Sequence, residues 1–145
     1  MYRRILVPLE HSDADETILA HVRALARFCG ARLVLIHVAD GWVARNIQPL
    51  ELRESEEMRD DRRYLEEVSA RLRAEGLSVD AVLAAGEPAD EIAAAAEREG
   101  CDLIAMATHG RTGLARLLLG SVAEAVLRQS EIPVVLVRHS LAEAA

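Results

Sequence analysis

The chain has 145 residues, of which 51% are hydrophobic, 28% charged and only 3% aromatic, and its formal net charge is −7. This length fits one domain, residues 1–145. The negative charge and the scarcity of aromatic side chains argue against binding of nucleic acid or of anionic lipid. All 17 basic residues are arginine, so the sequence excludes a Walker A loop and Schiff-base chemistry, both of which need lysine.

The sequence also limits where the protein is expected to work. No apolar run is as long as a membrane span, and the N-terminus lacks the apolar core of a signal peptide. The two cysteines, Cys29 and Cys101, show no CxxC spacing, and we expect both to be small core residues in a reducing compartment. We therefore expect a cytoplasmic protein without membrane insertion.

Short apolar runs alternate with helical patterns along the chain. Continuous apolar runs predict buried strands, and apolar residues at helical spacing, ended by glycine, predict the helices between them. The weaker alternation of Val79 to Ala84 predicts an outer strand. The order β-α-β-α-β-α-β-α-β predicts a Rossmann-like, three-layer α/β/α fold with a five-stranded parallel sheet. The predicted strands cover 5–9, 33–38, 79–84, a run that ends at Ala107, and Val134 to Val137.

Ligands of such sheets bind at the carboxyl ends of the strands, so we expect the site in the loops there. The strongest motif follows the fourth strand, where Gly110 is separated by nine residues from Gly120-Ser121. Glycine lets the backbone approach a ligand oxygen, and a helix that opens on Ser121 and Val122 would offer N–H groups to a phosphate. On spacing alone, Ser121 fits equally well as a helix N-cap paired with Glu124.

Several charged side chains near this motif have two interpretations each. Arg111 and Arg116 either reach phosphate oxygens or are solvated. Glu10 ends the first strand, where a carboxylate either accepts hydrogen bonds from ribose hydroxyls or is solvated. His109 has no orienting partner or nucleophile nearby in the sequence, which favours a structural or ligand-packing role over that of a catalytic base.

The remaining candidates are interpreted as structural. His37 lies within a predicted buried strand and is expected to be a core histidine. The acidic segment from Glu51 to Asp61 is expected to be an exposed helix face. The other histidines, His11, His21 and His139, lack metal-ligand spacing, so no tightly bound metal is expected.

From Arg4 to Arg138 the chain resembles the universal stress proteins of the UspA family, in the subgroup that binds ATP. The family motif has glycine, two residues, glycine, nine residues, then glycine followed by serine or threonine. Here Ala107 replaces the first glycine, while Gly110 and Gly120-Ser121 match the rest. A second departure is Glu10-His11-Ser12, where the family usually has Asp-Gly-Ser.

The resemblance implies an ATP site, with or without Mg²⁺, on an adenine nucleotide alpha hydrolase-like fold. Adenine would lie against Pro8 and Leu9 with Val38 on its other side, and ribose near Glu10. The resemblance also implies a homodimer formed through the last strand, Val134 to Val137. The complete set of expected binding residues is Pro8, Leu9, Glu10, Val38, Met106, Ala107, His109, Gly110, Arg111, Gly120, Ser121 and Val122, and none is expected to be catalytic.

These observations favour a nucleotide-dependent stress-response or signalling module with at most slow hydrolysis, rather than a dedicated enzyme. Two alternatives stay open. One is a nucleotide-free, homodimeric interaction protein, and the other is an enzyme of the adenine-nucleotide alpha-hydrolase type. A phosphorelay receiver is disfavoured because the third strand ends in Ala84-Ala85-Gly86, without an aspartate.

Overall fold

The computed structural model describes residues 1–40, 56–108 and 122–139, and within them five strands alternate with four helices. Helix α2 begins the second described range, so its predicted start near residue 50 lies outside the described residues. None of the described helices is both long and apolar enough to cross a membrane. The elements are β1 (Arg4–Pro8), α1 (Ala14–Cys29), β2 (Arg32–Asp40), α2 (Glu56–Ala74), β3 (Val79–Gly86), α3 (Pro88–Arg98), β4 (Leu103–Thr108), α4 (122–129) and β5 (Val134–Arg138).

The five strands form one parallel sheet in the order β3-β2-β1-β4-β5. The predicted parallel sheet is confirmed, and β3 lies at an edge, as its weak alternation indicated. The chain moves outward from β1 to β3 on one side and then continues from β4 to β5 on the other. This reversal leaves a crevice beside the carboxyl end of β1, where ligands bind in folds of this kind.

Successive side chains of the central strands point to opposite helix layers, as the pleat of a strand requires. Ile5, Val7 and Leu35 pack with side chains of α1 and α2. Leu6 and Ile36 pack with α3 and α4. The predicted helices on both faces are thus confirmed, and both faces of β1 are removed from water.

The two cysteines differ in burial. Cys101 is 6% exposed and belongs to the core, as predicted. Cys29, at the end of α1, is only partly buried but packs against the same core as α1, so the expectation that it is a core residue is met in part. A helix terminus at the edge of a layer leaves one side of its last residues to solvent.

Candidate functional site

A cavity of about 210 Å³ opens at the carboxyl ends of β1, β2 and β4. It lies at the point where the strand order reverses, the usual position for a ligand in a parallel α/β sheet. Its walls are mostly apolar, with one carboxylate and one imidazole at the mouth. The lining residues are Pro8, Leu9, Glu10, Ile36, His37, Val38, Pro88, Ile92, Met106, Ala107 and Val122.

The structure brings together those expected binding residues that it describes. Seven of them line this cavity, namely Pro8, Leu9, Glu10, Val38, Met106, Ala107 and Val122. The other five, His109, Gly110, Arg111, Gly120 and Ser121, lie outside the described residues. So does Arg116. That this set binds a nucleotide stays a prediction.

The loop between β1 and α1 is held by the buried carboxylate of Asp15, which is 1% exposed. One of its oxygens accepts a hydrogen bond from the backbone N–H of Glu10 at 2.8 Å, and the other accepts one from His11 at 2.8 Å. The Tyr64 hydroxyl donates to the same carboxylate at 2.6 Å. Burial raises the pKa of Tyr64, and the bond to Asp15 raises it further, so the phenol remains a donor. Asp15 thereby fixes the backbone of Glu10 at the cavity mouth.

His11 adopts a left-handed backbone conformation with φ of 65°. This explains why a glycine suits this position, since only glycine enters that region without a steric cost. For histidine the strain is on the order of 1 kcal/mol. The side chain offsets it with two contacts: its ring stacks on Tyr64 with centroids 4.0 Å apart, and its Nδ1 lies 2.9 Å from a carboxylate oxygen of Asp61.

The expectation that His37 is a core histidine is met in part: its side chain is only 12% exposed and both ring nitrogens have partners, but it also lines the cavity mouth. Its Nδ1 lies 2.9 Å from the Leu9 carbonyl oxygen and its Nε2 lies 3.2 Å from Asp61. The apolar run around His37 predicted a buried strand correctly. The histidine, however, lies close to the carboxyl end of that strand, where the sheet meets the cavity.

The expectation of an exposed acidic face is wrong at Asp61, which is 8% exposed. Its carboxylate turns inward because it pairs with both His11 and His37. Glu57 and Asp60 are exposed, as expected. The part of the predicted acidic face from 51 to 55 lies outside the described residues.

A second cavity, of about 460 Å³, adjoins the first and is more polar. Glu10, His37, Val38 and Pro88 line both cavities, so the two are continuous at the mouth. Its other walls include His11, Glu57, Asp60 and Asp61 from the β1–α1 loop and α2. The combined site is therefore an apolar slot that opens into an acidic, histidine-bearing mouth.

Sequence reasoning missed several residues that line this site, among them His37, Asp61, Pro88 and Ile92. Pro88 and Ile92 were interpreted only as a helix start and a core contact, because a local pattern does not show which end of α3 adjoins a ligand cavity.

The apolar walls and the carboxylate of Glu10 at the mouth are suited to binding a flat apolar ring with a polar substituent beside it. Within 1–40, 56–108 and 122–139, no group of three or more His, Cys, Asp or Glu is arranged to hold a metal ion.

Comparison with known proteins identifies the family. The model of the universal stress protein family matches residues 1–138. The chain belongs to the universal stress protein family. The universal stress protein MJ0577 of Methanocaldococcus jannaschii is 30% identical over 156 residues, which cover 96% of each chain.

Solved structures share the fold of this universal stress protein. A structure of protein MJ0577 has a TM-score of 0.80 at 33% identity and covers 96% of this chain and 97% of its own. A universal stress protein in complex with cAMP has a TM-score of 0.69 at 22% identity, covering 94% of this chain and 97% of its own. One from Archaeoglobus fulgidus in complex with dAMP has a TM-score of 0.67 at 22% identity, covering 93% and 97%.

Proposed function

We propose that this universal stress protein belongs to the subgroup that binds ATP, with or without Mg²⁺, and acts as a nucleotide-dependent stress-response or signalling module. The observation that supports this most strongly is the apolar cavity at the reversal of strand order. Seven of the residues that line it were expected to bind nucleotide from the resemblance of the sequence to ATP-binding members of the family. A purine ring is flat and largely apolar on its faces, which suits such a slot.

The polar groups at the mouth suit the rest of a nucleotide. Glu10 lines the mouth of the cavity, and a carboxylate accepts hydrogen bonds from two ribose hydroxyls. Ala107 and Val122, which flank the segment with Gly110 and Gly120-Ser121, both line the cavity. The residues that bracket Gly110 and Gly120-Ser121 in the sequence therefore lie beside the proposed base pocket, and we propose that the phosphates extend from this pocket toward the glycine motif.

The complexes of related folds with cAMP and with dAMP are consistent with an adenine ligand. At 22% identity they establish a common fold only. The proposal therefore depends on the cavity and on the spacing of the glycine motif in this chain.

We infer a binding module with at most slow hydrolysis rather than a dedicated enzyme. Phosphoryl transfer depends on positioning and on cationic groups that neutralise the transition state. The sequence has no lysine for a phosphate clamp, and the cavity walls that the structure describes contain carboxylates and imidazoles but no arginine. Steady release of AMP and pyrophosphate in the presence of an acceptor would instead support an adenine-nucleotide alpha-hydrolase activity.

We further propose a homodimer that forms through β5, and a cytoplasmic location. Within the described sheet β5 pairs only with β4, and Leu136 on this edge strand is 44% exposed. An open edge strand with an apolar side chain favours pairing with a second copy. The free thiols of Cys29 and Cys101 fit a reducing compartment.

The direct test is to identify what the purified protein carries and what it binds. Mass spectrometry of small molecules released on denaturation should detect an adenine nucleotide. Calorimetry of the emptied protein should show ATP binding, and Gly120→Val should abolish both results. No binding at millimolar ATP would support the alternative, a nucleotide-free interaction protein, for which Ala107 and Glu10 are the departures from the motif.

A further inference from the structure

Asp61 of α2 bridges two histidines that belong to other elements. Its Oδ1 lies 2.9 Å from Nδ1 of His11, in the β1–α1 loop, and its Oδ2 lies 3.2 Å from Nε2 of His37, on β2. The two imidazole rings are 6.4 Å apart and nearly perpendicular. We call these three side chains the Asp61 clasp. It connects α2 to the β1–α1 loop and to β2, and residues of both line the cavities.

The clasp is connected to the cavity floor through Leu9. The Leu9 carbonyl faces Nδ1 of His37 at 2.9 Å, and the Leu9 N–H donates to the Ile36 carbonyl at 2.8 Å. Leu9 is thus held to β2 from both of its backbone polar groups. The next residue, Glu10, carries the carboxylate at the mouth.

The partners of His37 favour its doubly protonated ring. A carbonyl oxygen and a carboxylate are both acceptors, while a neutral imidazole has only one N–H. A neutral His37 can therefore satisfy the Leu9 carbonyl or Asp61, but not both. When His37 loses a proton, one of its ring nitrogens presents a lone pair to the Leu9 carbonyl or to the Asp61 carboxylate, and that contact is weakened.

Most of the charged side chains around the clasp are carboxylates. Glu10 lines the shared mouth from the β1–α1 loop and Glu57 lines it from α2. Asp60 is paired with Arg63, the cation that lines a neighbouring cavity with His11. Below the loop are Asp15 and the Tyr64 phenol, which stacks on His11. Among the described residues, the histidines are the side chains of the two cavities that can carry positive charge. Protonation would reduce the repulsion between these carboxylates and an anionic nucleotide.

We propose that the Asp61 clasp positions Leu9 and Glu10 for the nucleotide and couples nucleotide affinity to protonation of its histidines, so that binding weakens as pH rises. The inference rests on the proposed nucleotide-binding function. Asp61 and His37 are positioning residues in this account, because they act through the backbone of Leu9 and through charge at the mouth.

The test is calorimetric titration of the emptied full-length protein with ATP between pH 5.5 and 8.5. The terminal phosphate of a nucleotide also titrates in this range, so the quantity to compare is the ratio of variant to wild-type Kd at each pH. Asp61→Asn should weaken binding most near neutral pH, by about tenfold, because there only the wild-type histidines keep the added proton, and by less than threefold at either end of the range. The matched control, Asp60→Asn, removes the same charge from the same cavity wall, where the carboxylate pairs with Arg63, and should keep a ratio that does not vary with pH.

A ratio for Asp61→Asn that is constant across the range would overturn the inference and leave the proposed function intact. Absence of ATP binding by the wild-type protein at every pH would refute the proposed function itself. Should Asp61→Asn fail to fold, His37→Gln provides the same comparison, with the exposed His21→Gln as its control.

Nuclear magnetic resonance of the imidazole nitrogens tests the clasp without nucleotide. In the wild-type protein, the doubly protonated form of His37 should have both N–H groups hydrogen-bonded, one to the Leu9 carbonyl and one to Asp61. In Asp61→Asn this form should be lost at a lower pH than in the wild-type protein, because a charge partner within 4 Å is removed. Identical His37 signals in the two proteins would overturn the inference.

Discussion

Asp15 is the side chain on which the backbone at the cavity mouth depends. Its buried carboxylate accepts hydrogen bonds from the N–H groups of Glu10 and His11 and from the Tyr64 hydroxyl. The amide of Asp15→Asn would place an N–H group against one of these donors. Hydrogen bonds to charged groups contribute about 1.5–3 kcal/mol each. We therefore expect Asp15→Asn to lower the free energy of unfolding by about 3 kcal/mol in urea titration.

Asp13 provides the matched control for Asp15. It stands at the N-cap of the same helix, is exposed, and makes no side-chain capping bond. Asp13→Asn should therefore change the free energy of unfolding by less than about 0.5 kcal/mol. Equal effects of the two substitutions would show that charge at the helix terminus, rather than the hydrogen-bonded loop, determines stability here.

The exposed edge strand β5 leads us to predict how two copies of the chain form a dimer. Leu136 is 44% exposed on a strand that has one described neighbour, β4. If two copies pair along β5, Leu136→Lys places a charge in the interface and should convert the dimer to a monomer. Sedimentation velocity measures this directly. Phe28→Lys is the control, because Phe28 is 90% exposed on α1 and should leave the dimer unchanged. A wild-type protein that sediments as a monomer would refute the β5 dimer.

The strands and the position of the cavity could be predicted from the sequence, whereas contacts between side chains distant in sequence could not. The strands were predictable because both faces of β1 and β2 are buried, so Leu33 to Ile36 form a continuous apolar run. The position of the cavity followed from the order of strands and helices. Seven cavity residues followed from the resemblance, since they lie at strand ends or directly after the glycine motif.

The clasp could not be predicted, because its partners are distant in sequence. His11 and Asp61 are 50 residues apart, and only the packing of α2 on the sheet brings them together. A local pattern describes Asp61 as one more acid on a charged helix. The same pattern describes His37 as one more residue of a buried strand. The inward turn of a carboxylate toward two imidazoles is a property of the tertiary structure.

The reactivity of the buried Cys101 thiol measures how often the whole domain unfolds. Burial raises the pKa of its thiol to about 11, and the side chain is 6% exposed. At pH 8 only about one such thiol in a thousand is ionised, and the thiolate is the reactive form. We expect iodoacetamide to label Cys29 in the native protein and Cys101 only when the whole domain unfolds. Mass spectrometry of peptides distinguishes the two sites. Comparable labelling of Cys101 in the native state would indicate local opening of the core near α3 and β4.

The central claim is that an adenine nucleotide occupies the cavity at the carboxyl ends of β1, β2 and β4. The most direct measurement is a titration of the emptied, ¹⁵N-labelled protein with ATP, followed through its amide resonances. We expect saturable shifts at Leu9, Val38, Ala107 and Val122, which line the cavity. The amides of the glycine turns at 30, 76 and 100, which precede the amino ends of β2, β3 and β4, should remain in place. Unchanged cavity amides at millimolar ATP, or shifts centred on those glycine turns, would contradict the claim.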